Sequence, residues 1–171
     1  KDEDRLRDDI RRAIEEIEEK LKRLKDRNKE HIERLKKRNE DLNRRNRDVV
    51  RRLRERDTDE KEIEEAMRRT RKEHKKALDD NRKSLKESED ELRKAEEDLR
   101  KTLEDLDRKL RAEPRTEELE KLREDLRRVI ERVEREIRRS SEENRRVVKK
   151  SVDNIRDSLR KNEDVIRKLR K

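Results

Sequence analysis

The sequence contains no glycine, no cysteine and no aromatic residue, and it has a single proline in 171 residues. Without cysteine, the chain can form no disulfide, no reactive thiol and no cysteine-ligated metal site. Without glycine, it cannot form the loops that cradle phosphate groups. Because glycine and proline are the strongest interruptions of regular structure, their near absence predicts long, unbroken helices.

Long apolar runs are also missing. No stretch approaches the roughly 20 apolar residues of a membrane-spanning helix, and no hydrophobic region of a signal peptide is present. We therefore expect a soluble chain with no membrane partner, cytoplasmic when it is expressed as a recombinant protein. Nothing in the sequence indicates a native compartment.

What the chain has instead is charge: 64% of the residues are charged and only 24% are hydrophobic. This composition normally predicts disorder. Two features favour helices over disorder, because the apolar residues recur regularly and helix-forming residues fill the rest. The net charge is +9, and both signs are mixed throughout, which is typical of a solvated, ion-paired surface.

Two breaks divide the chain into three helices. At the first, Asp59 is followed three residues later by Glu62, the pattern of a helix N-cap with its partner. At the second, Pro114 ends one helix and Thr116 can cap the next. We therefore predict one domain, residues 1–171, with helices at about 3–56, 60–112 and 117–170.

Apolar residues in each helix repeat at intervals of 18 residues, as Leu6, Leu24 and Leu42 do in the first helix. Eighteen residues make five turns of about 3.6 residues, so the apolar stripe stays on one side of a straight helix. A heptad repeat would impose a left-handed supercoil, whereas this period predicts almost none.

The ends of the helices indicate how they align. Short connections make neighbouring helices antiparallel, so Leu6 should lie near Leu110, a pair whose residue numbers sum to 116. The third helix runs parallel to the first, and an offset of 113 places Leu6 beside Leu119. The predicted fold is all-α: an up-down-up antiparallel three-helix bundle of long, nearly untwisted helices.

In this alignment, polar residues at inward positions meet polar residues of other helices. The predicted groups are Asn28 with Ser88, Ser140 and Ser141; His31 with Asn144 and Ser84; Asn39 with Ser151; Asn46 with Thr70 and Ser158; Asn162 near Val49 and Met67; Asn43 and Asn81 at the border of this region; and His74 opposite Leu42. A buried polar group without a partner costs about 1–3 kcal/mol, so matched neighbours predict connected hydrogen-bond networks. We expect these networks to specify helix register and pairing.

The two histidines and the serines invite proposals of metal binding or catalysis. In the predicted alignment, His31 and His74 are about eleven residues apart, or roughly 16 Å along the helices, too far to share a metal ion. A hydrogen-bonded core histidine is favoured for each, with a weak pH switch as the alternative. The serines form no Ser/His/Asp arrangement, and no carboxylate pair has a general acid beside it. We therefore predict no enzymatic activity, no metal and no cofactor.

The repeat, the capped breaks, the absent residue types and the polar core positions together resemble de novo designed proteins. The nearest group is the parametrically designed, untwisted three-helix bundles with built-in hydrogen-bond networks. The resemblance covers the whole chain and implies a monomeric scaffold that requires no partner. The alternatives are a homodimer closed by the third helix, or a parent whose helices can be split or exchanged as interaction modules.

A second alternative follows from three basic stretches that the predicted fold places at the same end, namely Arg34–Arg56, Arg68–Lys86 and Arg145–Lys171. They favour non-specific binding of polyanions. The chain offers no aromatic residue for base stacking and no recognition motif. Such binding would be salt-sensitive and indifferent to sequence, so no specific nucleic-acid partner is predicted.

Overall fold

A computed structural model describes residues 2–56 and 58–170 of the chain. It contains three α-helices in the described residues: α1 Asp2–Glu55, α2 Glu60–Arg111 and α3 Glu117–Leu169. Each helix begins and ends within one residue of its predicted limits, and the three-helix bundle is confirmed.

Side-chain caps explain where the helices begin. The backbone N–H of Glu62 donates to Asp59 Oδ1 at 2.8 Å, and the N–H of Leu119 donates to Thr116 Oγ1 at 3.3 Å. Each bond satisfies a backbone donor that has no partner inside its helix. Both predicted caps are therefore confirmed. The Thr58 hydroxyl donates to the Leu53 carbonyl at 3.2 Å, so the end of α1 is capped as well.

Contacts divide the chain into two compact units. The first unit comprises Lys1–Lys29 and Ser88–Glu143, and the second comprises Glu30–Glu87 and Asn144–Lys171. Each unit takes a section of all three helices. The prediction of a single domain is not tested by this division and stays a prediction.

The first unit has one continuous apolar core. It includes Leu103 and Leu126, each 1% exposed, and its members come from all three helices. Ion pairs join α1 to α3 at its surface, between Glu18 and Arg132 and between Lys25 and Glu136. The residue numbers in these pairs differ by 114 and 111, close to the predicted offset of 113.

The second unit has two small apolar clusters and a larger share of buried polar residues. One cluster contains Val50, Ile63, Met67 and Ile166, and the other contains Ile32, Leu35 and Val148. In the part of the chain that the structure describes, no large hydrophobic side chain is exposed. Within residues 2–56 and 58–170, no helix is long and apolar enough to cross a membrane.

Candidate functional site: the buried polar clusters

The polar residues predicted to face inward all lie at buried or half-buried positions. Ten are buried: Asn28, Asn39, Asn46, Thr70, His74, Asn81, Ser88, Asn144, Ser151 and Asn162. Six are half-buried: His31, Asn43, Ser84, Ser140, Ser141 and Ser158. Helical periodicity explains this placement, because each residue replaces an apolar residue on the inner stripe of its helix.

In the first unit, Asn28 of α1 and Ser88 of α2 form a buried pair. The Ser88 hydroxyl donates to the Asn28 carbonyl oxygen. The residue numbers sum to 116, as the alignment of the helix ends predicts. The pair therefore joins two antiparallel helices at the predicted register.

In the second unit, Asn39, Asn81 and Ser151 bring one side chain from each helix into a single cluster, here called the amide triad. Asn39 Nδ2 donates to Asn81 Oδ1 at 2.7 Å, and Asn81 Nδ2 donates back to Asn39 Oδ1 at 2.9 Å. Asn39 Nδ2 also donates to Ser151 Oγ at 2.7 Å. The pairing of Asn39 with Ser151 was predicted, whereas the reciprocal bond to Asn81 was not.

The amide triad uses every N–H of its two carboxamides. Each carboxamide has two N–H donors and one carbonyl acceptor. Asn39 directs its donors to Asn81 and Ser151, and Asn81 directs its second donor to the Ala77 carbonyl, one turn earlier in α2, at 2.6 Å. Asn81 is fully buried. Because a buried donor without a partner is costly, this complete set of bonds allows two amides in the interior of a helical bundle.

Asn46 and His74 form the third cluster. His74 is fully buried; its Nδ1 lies 2.7 Å from the Thr70 carbonyl oxygen, and its Nε2 lies 3.3 Å from Asn46 Nδ2. A carbonyl oxygen can only accept, so we assign the ring proton to Nδ1. Nε2 then accepts from Asn46, and the contact of Asn46 with Nδ1 at 3.2 Å joins two donors and is not a hydrogen bond.

This geometry corrects two predicted positions. The sequence predicts His74 opposite Leu42, and Asn46 beside Thr70 and Ser158. In the structure, Asn46 contacts the ring of His74 and not the Thr70 hydroxyl. Thr70 and His74 are four residues apart, so they lie on the same face of α2 on successive turns. Counting residues from the helix ends predicts that this face of α2 lies opposite Asn46. It does not predict whether Thr70 or His74, one turn apart on that face, makes the contact. The longer imidazole reaches Asn46 from the neighbouring turn.

Two acceptors in these clusters are backbone carbonyls that sequence reasoning missed. They belong to Thr70 and Ala77, each four residues before the side chain that donates to it. Polar side chains on a helix often donate to the carbonyl one turn earlier. The sequence feature that could have indicated these bonds is the position of His74 and Asn81 in the interior of α2, because a side chain there can reach the backbone carbonyl four residues earlier.

Three predicted members of the network differ from the expectation that each finds a partner. His31 Nε2, Asn43 Oδ1 and Asn162 Nδ2 are buried atoms with no hydrogen-bond partner among the described residues. The predicted contact of His31 with Asn144 is not made through Nε2, so His31 differs from the hydrogen-bonded core histidine that was expected. All three residues lie in the second unit, which therefore contains both the fully bonded amide triad and these unpartnered polar atoms.

A groove beside these clusters lies between α1 and α2 in the second unit. It has a volume of about 730 Å³, and its lining includes Leu35, Leu42 and Ala77 together with the two amide-triad asparagines. Charged residues of both helices, such as Arg38 and Glu73, also line it. In the described ranges, no group of three or more His, Asp or Glu residues is placed to hold a metal ion.

Comparison with solved structures finds a structural likeness. No protein-family model matches the chain, and no curated protein matches it. A solved structure described as a "Computationally designed three helix bundle" aligns with 98% of this chain and 77% of its own length, at 17% sequence identity and a TM-score of 0.49.

Proposed function

We propose that this protein is a designed structural scaffold whose buried polar clusters specify helix register and pairing, and that it has no enzymatic activity. The observation that carries the proposal is the amide triad. Its three side chains come from three different helices, and the N–H groups of both carboxamides have acceptors. Composition supports artificial origin, because the sequence lacks glycine and aromatic residues altogether.

The amide triad contributes more to specificity than to stability. A buried hydrogen bond contributes only about 1 kcal/mol net, since the same groups bond to water in the unfolded chain. A slip of one helix by one turn would separate the carboxamides of Asn39 and Asn81. In the direction that sets Asn39 against Ala77, Asn81 comes opposite Leu35, so each amide is buried against an apolar neighbour. Unpaired buried groups cost about 1–3 kcal/mol each. The triad therefore raises the free energy of misaligned packings more than it lowers that of the native one.

The test is to replace the whole triad with apolar residues of similar size, as N39L/N81L/S151A. We expect an unchanged or raised Tm, because replacing both partners of a buried hydrogen bond with apolar groups is often neutral or stabilising. We also expect less uniform association, with oligomers that the unmodified chain does not form. Circular dichroism measures the Tm, and native mass spectrometry measures the distribution of oligomers.

The matched control is N154A, which removes an asparagine that is exposed on α3. It should change neither the Tm nor the oligomer distribution. Loss of helicity in the triple variant would show that the triad is needed for folding itself. A triple variant as uniform in mass as the unmodified chain would show that the triad does not specify pairing. Either result contradicts the proposal.

A further inference from the structure

The two units carry very different net charges. The second unit has 32 Lys and Arg against 20 Asp and Glu, a net charge of +12, whereas the first has 27 against 30, a net charge of −3. The excess positive charge of the chain therefore lies entirely in the second unit. Mixed charge over the whole sequence conceals this difference.

One ion pair between α2 and α3 shows which sides of these helices adjoin in the second unit. Arg71 Nε lies 2.7 Å from Glu163 Oε1. On α2, Lys75 follows Arg71 by one turn and Arg82 follows it by three turns, which places both on the same side of the helix. On α3, two steps of seven residues back from Glu163 lead to Arg156 and Lys149 on the same side of that helix. Because α2 and α3 are antiparallel, these residues form two adjacent rows.

We call Lys75, Arg82, Lys149 and Arg156 the basic face. All four are exposed, and in the described residues none of them has an ion-pair partner within 4.0 Å. The acidic residues three or four positions from them, Asp79 and Asp153, are exposed as well and form no ion pair with them. Each of the four cations is followed three residues later by a half-buried aliphatic residue, namely Leu78, Leu85, Val152 and Leu159.

Ion pairs cross the boundary between α2 and α3 in both units. In the second unit they join Arg71 to Glu163 and Arg170 to Glu64. In the first unit, Arg100 of α2 pairs with Glu134 of α3 at 3.1 Å, and Asp107 pairs with Arg123 at 3.6 Å. The hydrogen bond from Arg100 to Glu134, together with the negative charge of Glu134, raises the pKa of the Arg100 guanidinium. Acidic partners thus neutralise cations at this boundary in both units, but none of these pairs includes the four cations of the basic face.

We propose that the basic face binds the phosphate backbone of a nucleic-acid duplex. Residues seven apart in a helix are separated by about 10.5 Å along its axis, so each row presents regularly spaced cations. A duplex carries about one negative charge per 1.7 Å of its axis, and its neutralisation by Lys and Arg releases counterions. A rigid polyanion loses less conformational entropy than a flexible polyanion when it binds to fixed rows of cations. The chain has no aromatic residue to stack on unpaired bases, so the protein reads the backbone and not the sequence.

The experiment measures binding of the full chain to a short fluorescent DNA duplex by anisotropy, at ~50 mM and ~200 mM salt. The test variant is K75Q/R82Q/K149Q/R156Q, which keeps good helix formers at all four positions. We expect binding at ~50 mM salt to weaken by about tenfold or more. The slope of log affinity against log salt should fall by about 0.9 for each phosphate that the variant no longer neutralises. Two duplexes of unrelated sequence should bind equally well.

The matched control removes the same charge from the first unit, at exposed residues with no ion pair in the described structure: Lys94, Lys121, Arg127 and Arg138, each changed to Gln. This variant should bind DNA as the unmodified chain does. Equal weakening in both variants would show that net charge alone governs binding and would overturn the assignment to the basic face. Tighter binding of heparin than of the duplex at equal charge concentration would overturn the assignment to nucleic acid. Circular dichroism on both variants separates loss of binding from loss of fold.

Discussion

The two units of this chain use the same three helices to build different interiors. The first unit buries fifteen apolar residues in one cluster, and its buried polar residues are Asn28 and Ser88. The second unit splits its apolar residues into two small clusters and contains the amide triad and the pair of Asn46 with His74. An apolar core tolerates many packings of similar energy, whereas paired amides tolerate few. We infer that the first unit supplies most of the stability and the second most of the register.

The largest effect that this comparison predicts comes from truncating the apolar core. Leu103 is 1% exposed in the continuous core of the first unit, so Leu103→Ala should lower the free energy of unfolding by about 2–5 kcal/mol. Leu35→Ala is the matched change in the second unit, where Leu35 belongs to a cluster of three buried apolar residues. It should cost less, because fewer apolar neighbours surround the deleted atoms. Chemical denaturation followed by circular dichroism measures both, and equal costs would remove the energetic distinction between the units.

A smaller effect is expected from breaking the amide triad on one side only. Asn81→Leu leaves Asn39 with a buried carbonyl and a buried N–H that have no partner, which should lower the free energy of unfolding by about 1–3 kcal/mol. The double variant N39L/N81L removes both sides and should recover most of that loss. A double-mutant cycle measures the coupling between the two residues. Additive single and double variants would mean that the reciprocal bonds contribute nothing specific.

Much of the fold was predictable from the sequence because helix ends and core positions depend on local chemistry. Asp59 and Thr116 are residues whose side chains cap helices in many sequence contexts, and they begin α2 and α3 as expected. The offset between α1 and α3 was also predictable, since side chains of parallel helices tilt in the same direction. Asn39 and Ser151 therefore meet as the count of residues indicates.

The choice of partner between antiparallel helices was less predictable. Side chains tilt towards the N-terminus of their own helix, so on antiparallel helices they tilt in opposite directions. Partners can then lie one turn away from the position that a count of backbone residues gives. Asn46 and His74 are such a pair: their residue numbers sum to 120, not 116. The residue numbers of Asn28 and Ser88 do sum to 116. The sequence alone therefore does not indicate whether a pair on antiparallel helices forms at the counted position or one turn away from it.

The unpartnered atoms of His31, Asn43 and Asn162 could not be predicted either. The sequence shows that a polar residue lies on the inner stripe, but the direction of each donor or acceptor depends on the rotamer. His31 and Asn43 are half-buried at the edge of that stripe, where one side of the side chain can remain near solvent. Periodicity predicts burial of the residue, not the bonding of each atom.

The most direct test of the central claim, that the amide triad specifies register, is disulfide crosslinking of engineered cysteines. The chain contains no cysteine, so each crosslink reports one chosen pair. R71C/E163C joins positions that form an ion pair in the native register, whereas R71C/R167C joins positions displaced by four residues, about one turn, and forms a disulfide only after a slip of that size. In the otherwise unmodified chain, we predict a crosslink in the first pair alone, and in the N39L/N81L/S151A background a crosslink in both. If the displaced pair stays uncrosslinked without the triad, the register is set by other residues and the central claim is wrong.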